Sequence, residues 1–255
     1  MQKSLLFITA LFFTTSAFAQ TTVPTTPGDG GNQKFRLGAE LTPHVSWIST
    51  DDKNVVGSGA NVGIRVGLFG EYYFAENYAL SFGLGYGINH GSTLTYTQGG
   101  DVLHDTKLSN FTTVQSFAPG VRVNYHTNYL ELPFSFKLRT DEINYMRYFV
   151  QIPQFTIAVR TDGTADIEGA YADKPNNTFT LTGESISNST NFLNIRWGIG
   201  AGMEYALTKK VTAVGAFFFN SDLLDITPSG TRLDNTVEGS VAKTANIGLR
   251  VGVMF

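Results

Sequence analysis

Residues Asn128–Arg139 read NYLELPFSFKLR, and following alternate positions separates two faces. Leu130, Leu132, Phe134, Phe136 and Leu138 form an unbroken apolar row, while Tyr129, Glu131, Pro133, Ser135, Lys137 and Arg139 form the other. Period-two alternation marks a β-strand, because successive side chains on a strand point to opposite sides. One strand with a continuous apolar face and a face of charges and proline leaves open which side meets solvent.

The same pattern recurs along the chain. In KFRLGAELTPHVSWI, Phe35, Leu37, Ala39, Leu41, Val45 and Trp47 oppose Arg36, Gly38, Glu40, Thr42, His44 and Ser46. NVGIRVGLFGEYYF sets Val62, Ile64, Val66, Leu68, Tyr72 and Phe74 against Asn61, Gly63, Arg65, Gly67 and Glu71. In YALSFGLGYGIN the apolar row from Tyr78 to Ile88 faces Ser81, Gly83, Gly85, Gly87 and Asn89. MRYFVQIPQFTIAVR alternates with a slip around Pro153, and FLNIRWGIGAGMEYAL sets the row from Leu193 to Leu207 against Asn194, Arg196, three glycines and Glu204. VTAVGAFFFN is apolar on both faces, and KTANIGLRVGVMF alternates to the terminal Phe255. With the first stretch these make eight strands. Their connections alternate in length, with short turns near 75–77, 140–144 and 208–210 and long polar segments at 49–59, 97–114, 161–191 and 221–242.

Eight alternating strands with short turns at one end and long loops at the other predict an all-β fold, an eight-stranded antiparallel transmembrane β-barrel. Composition agrees. Charged residues make up 15% of the 255-residue chain, against about 25% in soluble domains, with 27 Gly, 20 Phe and 11 Tyr. In such a barrel the apolar row faces lipid and the polar row faces the lumen. Eight strands enclose an interior that side chains fill. Arg36, Glu40, Arg65, Glu71, Glu131, Lys137, Arg196, Glu204 and Arg250 are therefore expected to form a lumen charge network, paired because buried charges are otherwise costly. Pro133 cannot donate to a neighbouring strand, which predicts a bulge or gap there. Phe35, Tyr72, Phe74, Tyr78, Tyr205 and Phe255 near the short turns, with Trp47, Tyr86 and Phe219 near the long loops, fit two interfacial girdles; ordinary strand aromatics are the competing reading.

The first 19 residues, MQKSLLFITALFFTTSAFA, combine Lys3, an apolar core from Leu5 to Phe13 and the Ala17-Phe18-Ala19 site. This is the pattern of a secretory signal peptide cut before Gln20. Residues 20–34 are Thr, Pro and Gly with little to bury and read as a flexible periplasmic tail ahead of a barrel domain at 35–255. With no cysteine, a lipoprotein signal, a disulfide scaffold and thiolate metal sites are excluded. Weak net acidity, −3 over the whole chain, argues against nucleic acid.

YLELP at Tyr129–Pro133, followed by alternating apolar residues and Lys137, resembles a motif of the PorT-like outer-membrane β-barrel family, and FFNSDLLDI at Phe218–Ile226 is similar to the segment after that family's seventh strand. The ending RVGVMF resembles the aromatic-ended last strand that barrels present to their assembly machinery, which gives Phe255 the role of assembly signal. The resemblance spans about 35–255. It implies a Gram-negative outer-membrane barrel with periplasmic termini and extracellular long loops. The family's founding member is linked to protein secretion, a role no residue here carries over.

Catalysis finds little footing. A hydrolase or acyltransferase needs a nucleophile, a base and an orienting group, and the four histidines, His44, His90, His104 and His126, stand in no recognisable deacylase signature. Local packing or loop solvation accounts for them. Asp101, His104 and Asp105 cluster without metal-specific spacing, and the glycine runs lack the helix and lysine of a phosphate loop. No enzyme activity, cofactor or metal is expected. The expected function is structural, an integral barrel with a filled lumen acting at the cell surface. Its partners would be outer-membrane lipids, the assembly machinery during insertion, and surface or periplasmic proteins. A loop-mediated adhesin using 161–191 is the alternative; a lipid-modifying enzyme and a narrow pore follow.

Overall fold

The computed structural model describes residues 34–100, 102–103, 116–226 and 241–255. The expected signal peptide, nearly all of the tail, and Asp101, His104 and Asp105 lie outside them. The described chain forms eleven strands and no helix: β1 Phe35–Thr50, β2 Val55–Gly57, β3 Asn61–Ala75, β4 Tyr78–His90, β5 Thr93–Tyr96, β6 Val121–Arg139, β7 Met146–Tyr171, β8 Lys174–Ser185, β9 Leu193–Ala206, β10 Thr212–Asp222 and β11 Ala242–Met254. Eight of them close a ring in the order β6-β4-β3-β1-β11-β10-β9-β7, sealed by the antiparallel β6–β7 pairing. The remaining strands, β2, β5 and β8, enlarge one side of the ring at the long-loop end. β5 pairs with the first residues of β6, β2 with β5, and β8 with the last third of β7.

The wall is apolar outside. Leu37, Leu41, Val66, Leu68, Leu80, Phe82, Leu132, Phe134, Val150, Ile199, Phe217 and Val251 are all exposed, as are their neighbours around the ring. A continuous belt of this kind far exceeds the few hundred Å² of apolar patch a soluble monomer shows, so the belt faces hydrocarbon. Aromatic rings sit at both rims: Phe74, Tyr78 and Phe136 pack with centroids 5.8–6.2 Å apart near the short turns, and Phe219 lies 6.5 Å from Trp47 and 6.1 Å from Trp197 toward the other end.

β6 changes environment along its length without changing phase. From Leu138 back to Leu130 its outward side chains are apolar and its inward ones are Arg139, Lys137, Ser135, Pro133 and Glu131. From Asn128 back to Arg122 the outward residues are Asn128, His126, Asn124 and Arg122, while Tyr125, Val123 and Val121 turn inward. One strand thus obeys the lipid rule over one half and the water rule over the other. The inward residues of the second half join Leu94, Tyr96, Ala165, Ile167, Leu181, Ile186, Ile48 and Ile226 in a buried apolar core. In that core the Tyr96 and Tyr125 hydroxyls meet at 2.6 Å, and burial pushes the Tyr96 phenol well above its ordinary value. The barrel mouth at this end is covered by a soluble-type β-extension.

The extension corrects two sequence expectations. Residues 161–191 are no loop: β7 runs to Tyr171 and turns into β8, and Ile186 N donates to Gly163 O at 3.0 Å to bring the hairpin back to the wall. The 49–59 segment holds β2. Both stretches read as loops because their few apolar residues are set among polar, charged and turn-forming ones without a sustained alternating row. A third correction concerns Asn89, expected in the lumen row. The register shifts between Gly87 and His90, Asn89 takes φ of 63°, and His90 turns inward in its place.

Two local irregularities follow from proline. Opposite Pro133 the β4–β6 ladder is interrupted between Phe82–Phe134 and Gly85–Glu131 without a change of register, the local gap its missing N–H demands. Gly83 lies there, where an added Cβ would stand 3.2 Å from the proline ring. At Ile152–Pro153 the β7–β9 register shifts between Gln151 and Gln154, which is why the sequence alternation slips.

Candidate functional site

The lumen is built in layers. Nearest the short turns, the Lys137 ammonium is fully buried between two carboxylates, donating to Glu71 Oε1 at 2.6 Å and to Glu204. The Tyr73 hydroxyl donates to the other oxygen of Glu71. Arg36 Nη1 reaches Glu204 Oε2 at 3.4 Å, and its Nη2 donates to Thr212 at 2.5 Å. Arg139 closes the layer, stacked 3.9 Å from the Tyr73 ring and donating to the Glu76 carbonyl in the turn. β1 supplies Arg36, β3 Glu71 and Tyr73, β6 Lys137 and Arg139, β9 Glu204 and β10 Thr212, because their inward positions meet near one height, as the Arg36–Glu71 cross-strand pair records.

Above this lies an apolar layer of Phe69, Phe149, Phe218, Val214 and Met254. Cations bracket it, Lys137 at 4.1 Å from the Phe149 ring and Arg250 at 4.0 Å from Phe218. VTAVGAFFFN, which gave no orientation in sequence, turns Phe218 inward and Phe217 outward. Gly200 on β9 makes this possible, since a Cβ there would collide with the Phe218 ring.

The next layer holds the second charge cluster. Glu40 pairs with Arg65 at 2.8 Å and with Arg250 at 2.5 Å. Glu131 pairs with Arg196 at 2.5 Å and with Arg65 at 3.4 Å, and Arg196 Nε also donates to Asp222 at 2.9 Å. His90 lies 3.2 Å from Glu131, and its ring stacks on His44 at 4.2 Å. A cavity of about 20 Å³ opens here, lined among others by Thr42, His44, Arg65, His90, Glu131 and Arg196. That volume admits about one water molecule. Above it the apolar core of the extension closes the mouth.

All nine residues expected in the lumen network are buried there, and they divide into two clusters. Reading by alternation missed Arg139, Asp222, His90, Gln151 and Gln154, which share the interior. Asp222 fell in a segment read as loop, His90 was displaced by the Asn89 bulge, and the glutamines lie either side of the Pro153 slip. Arg139 stood in the polar row of the first stretch, so its signal was available.

The histidines offer no catalytic arrangement among the described residues. His44 and His90 are sealed in the lumen. His126 points outward above the lipid belt with both ring nitrogens engaged, Nδ1 at 2.6 Å from Asn89 Oδ1 and Nε2 at 3.2 Å from Asp166. No three His, Asp or Glu side chains among the described residues converge as a metal site would require.

No curated protein matches the sequence significantly. Solved structures of similar outline include Neisserial surface protein A, with 12% identity, a TM-score of 0.41 and coverage of 87% of this chain and 96% of that one. Ail, the attachment invasion locus protein of Yersinia pestis, gives 9%, 0.35, 86% and 98%, and the outer membrane protease OmpT of Escherichia coli gives 10%, 0.37, 92% and 98%. At these identities nothing of their activities transfers. The model of the outer membrane protein β-barrel domain matches residues 18–224, most of the chain. With its closed eight-stranded ring and belt of exposed apolar side chains, this chain belongs to the outer membrane protein β-barrel domain family, and its place is the bacterial outer membrane.

Proposed function

We propose that this protein is a closed, non-conducting barrel that anchors a folded β-extension at the cell surface, acting as a scaffold or interaction partner. The observation that carries the reading is the layered interior. Two ion-pair clusters, an apolar layer between them and an apolar core over the mouth leave no continuous aqueous path among the described residues. A cell-surface role further requires that the termini and short turns be periplasmic and the extension extracellular. The short-turn, long-loop asymmetry supports that orientation. Phe255 is exposed just past β11 and pairs its N–H and carbonyl with Leu37; its role as assembly signal rests on the resemblance of RVGVMF. A part in protein secretion has only the PorT-like resemblance behind it. The test is conductance: in planar bilayers the purified protein is expected to give no steady current for small ions, and stepwise channels would overturn the reading.

A non-enzymatic role is part of the proposal. It is supported by the burial of His44 and His90 and the double engagement of His126, which among the described residues leave no ring nitrogen beside an accessible hydroxyl. Membranes of a strain producing the protein are expected to show unchanged lipid A and phospholipid acyl chains by mass spectrometry. A new deacylated or transacylated species that requires His126 would establish the enzyme instead.

A further inference from the structure

Above the lipid belt, the outer face of the extension is a five-stranded sheet in the order β2-β5-β6-β7-β8. Its register sets Thr95, Arg122, Glu168 and Thr180 in one row and Thr93, Asn124 and Asp166 in the next. The inward partners on these strands, Leu94, Tyr96, Val123, Ile167 and Leu181, fill the core, so the hydroxyls and amides are what the sheet presents. In these rows Arg122 is paired with Glu168 at 3.7 Å, and His126 with Asp166, which also accepts from Gly183 N at 2.9 Å. Among the described residues, no aromatic ring stands in these two rows to anchor a protein partner. What remains is uncharged hydrogen-bonding capacity on the exposed Thr180 and Thr182 and the half-buried Thr93, Thr164 and Asn124. Neighbouring strands space these groups at about 4.8 Å.

This face continues the lipid-facing wall on the same strands, β6 and β7, across a register shift between Asn128 and Tyr129. Just above the belt, the Thr161 hydroxyl lies within hydrogen-bond reach of the Tyr86 hydroxyl and the Asn128 carbonyl, each at 3.2 Å. Whatever molecules coat the belt with their acyl chains therefore hold their headgroups against the threonine-rich sheet. We propose that this sheet is a binding surface for the neutral saccharide headgroups of the glycolipids in the surrounding outer leaflet. The inference rests on the orientation proposed above. Sugar hydroxyls donate and accept as the threonines and asparagines do, and the exposed Lys174 stands at the β7–β8 turn, outside the Thr93–Asn124–Asp166 and Thr95–Arg122–Glu168–Thr180 rows.

The test compares the full-length protein in vesicles containing lipopolysaccharide with its core saccharide, lipid A alone, or phosphatidylcholine. Amide hydrogen exchange of β5, β8 and residues 121–127 is expected to slow at least about threefold with the core saccharide relative to lipid A. The variant carrying Asn124→Ala, Thr180→Ala and Thr182→Ala, checked for the heat-dependent gel shift of a folded barrel, is expected to lose that protection. Equal exchange in the saccharide and lipid A vesicles would overturn the proposal. Protection already complete with lipid A and abolished by high salt would also overturn it, by assigning the contact to phosphate. An epitope inserted between Ala172 and Asp173 reports orientation separately: absence of antibody labelling on intact cells would refute the topology, while the vesicle result would still judge the surface itself.

Discussion

Lys137→Met is expected to destabilise the barrel by about 3–5 kcal/mol, the usual cost of removing one partner from a buried ion pair. Its ammonium is fully buried and is the shared partner of Glu71 and Glu204. Methionine keeps most of the volume and the contact with Phe149, so the change is chiefly electrostatic. Glu71 would retain only the Tyr73 hydroxyl, and Glu204 would rely on Arg36 at 3.4 Å and Arg139 at 3.8 Å. Urea unfolding in lipid vesicles, followed by the fluorescence of Trp47 and Trp197, measures the change. Adding Glu71→Gln to Lys137→Met is expected to recover at least about 1 kcal/mol, because the second substitution removes a stranded charge. Lys174→Met, on exposed β8, is expected to stay within about 0.5 kcal/mol of wild type. Equal midpoints for the Lys137 and Lys174 variants would mean that Lys137 reaches water and that the lower cluster is not a structural element.

The division between what the sequence discloses and what it withholds follows the membrane boundary. Within the belt, lipid imposes one rule on every strand, and residues such as Leu132 and Glu131 announce opposite faces by chemistry alone. Outside the belt, the rule reverses on the same strand. Val121 and Val123 continue the phase of Glu131, and Asn124 that of Leu132, so a reader following apolar residues outward loses the strand at Asn128. The β7–β8 hairpin is hidden for the same reason, its core made by single residues such as Ile167 and Leu181 amid threonine. Local backbone events account for the other losses. The αL residue Asn89 exchanges itself for His90, and no alternation count foresees a one-residue bulge. The pairing of lumen charges is less legible still: sequence says that Glu131 and Arg196 both face inward, but only ring closure brings β6 and β9 within reach across the interior.

That reversal on β6 makes a second large effect, readable at three positions of one strand. Leu132→Arg places a guanidinium on the lipid face well inside the belt, and is expected to cost about 2–4 kcal/mol. Asn124→Arg, eight residues away on the same face, stands beside Arg122 and Asp166 above the belt and is expected to change stability by no more than about 0.5 kcal/mol. Val123→Arg, its immediate neighbour, drives a charge into the apolar core of the extension, and is expected to cost at least about 2 kcal/mol. The order large, small, large therefore separates lipid-facing, water-facing and core-facing environments with one substituent. Unfolding in phosphatidylcholine vesicles keeps saccharide contacts out of the comparison. Comparable losses at Leu132 and Asn124 would extend the hydrocarbon over the threonine-rich sheet and remove the boundary between Leu130 and Asn128. A tolerated arginine at Val123 would show that the mouth is open to water, and the closed lumen would fall with it.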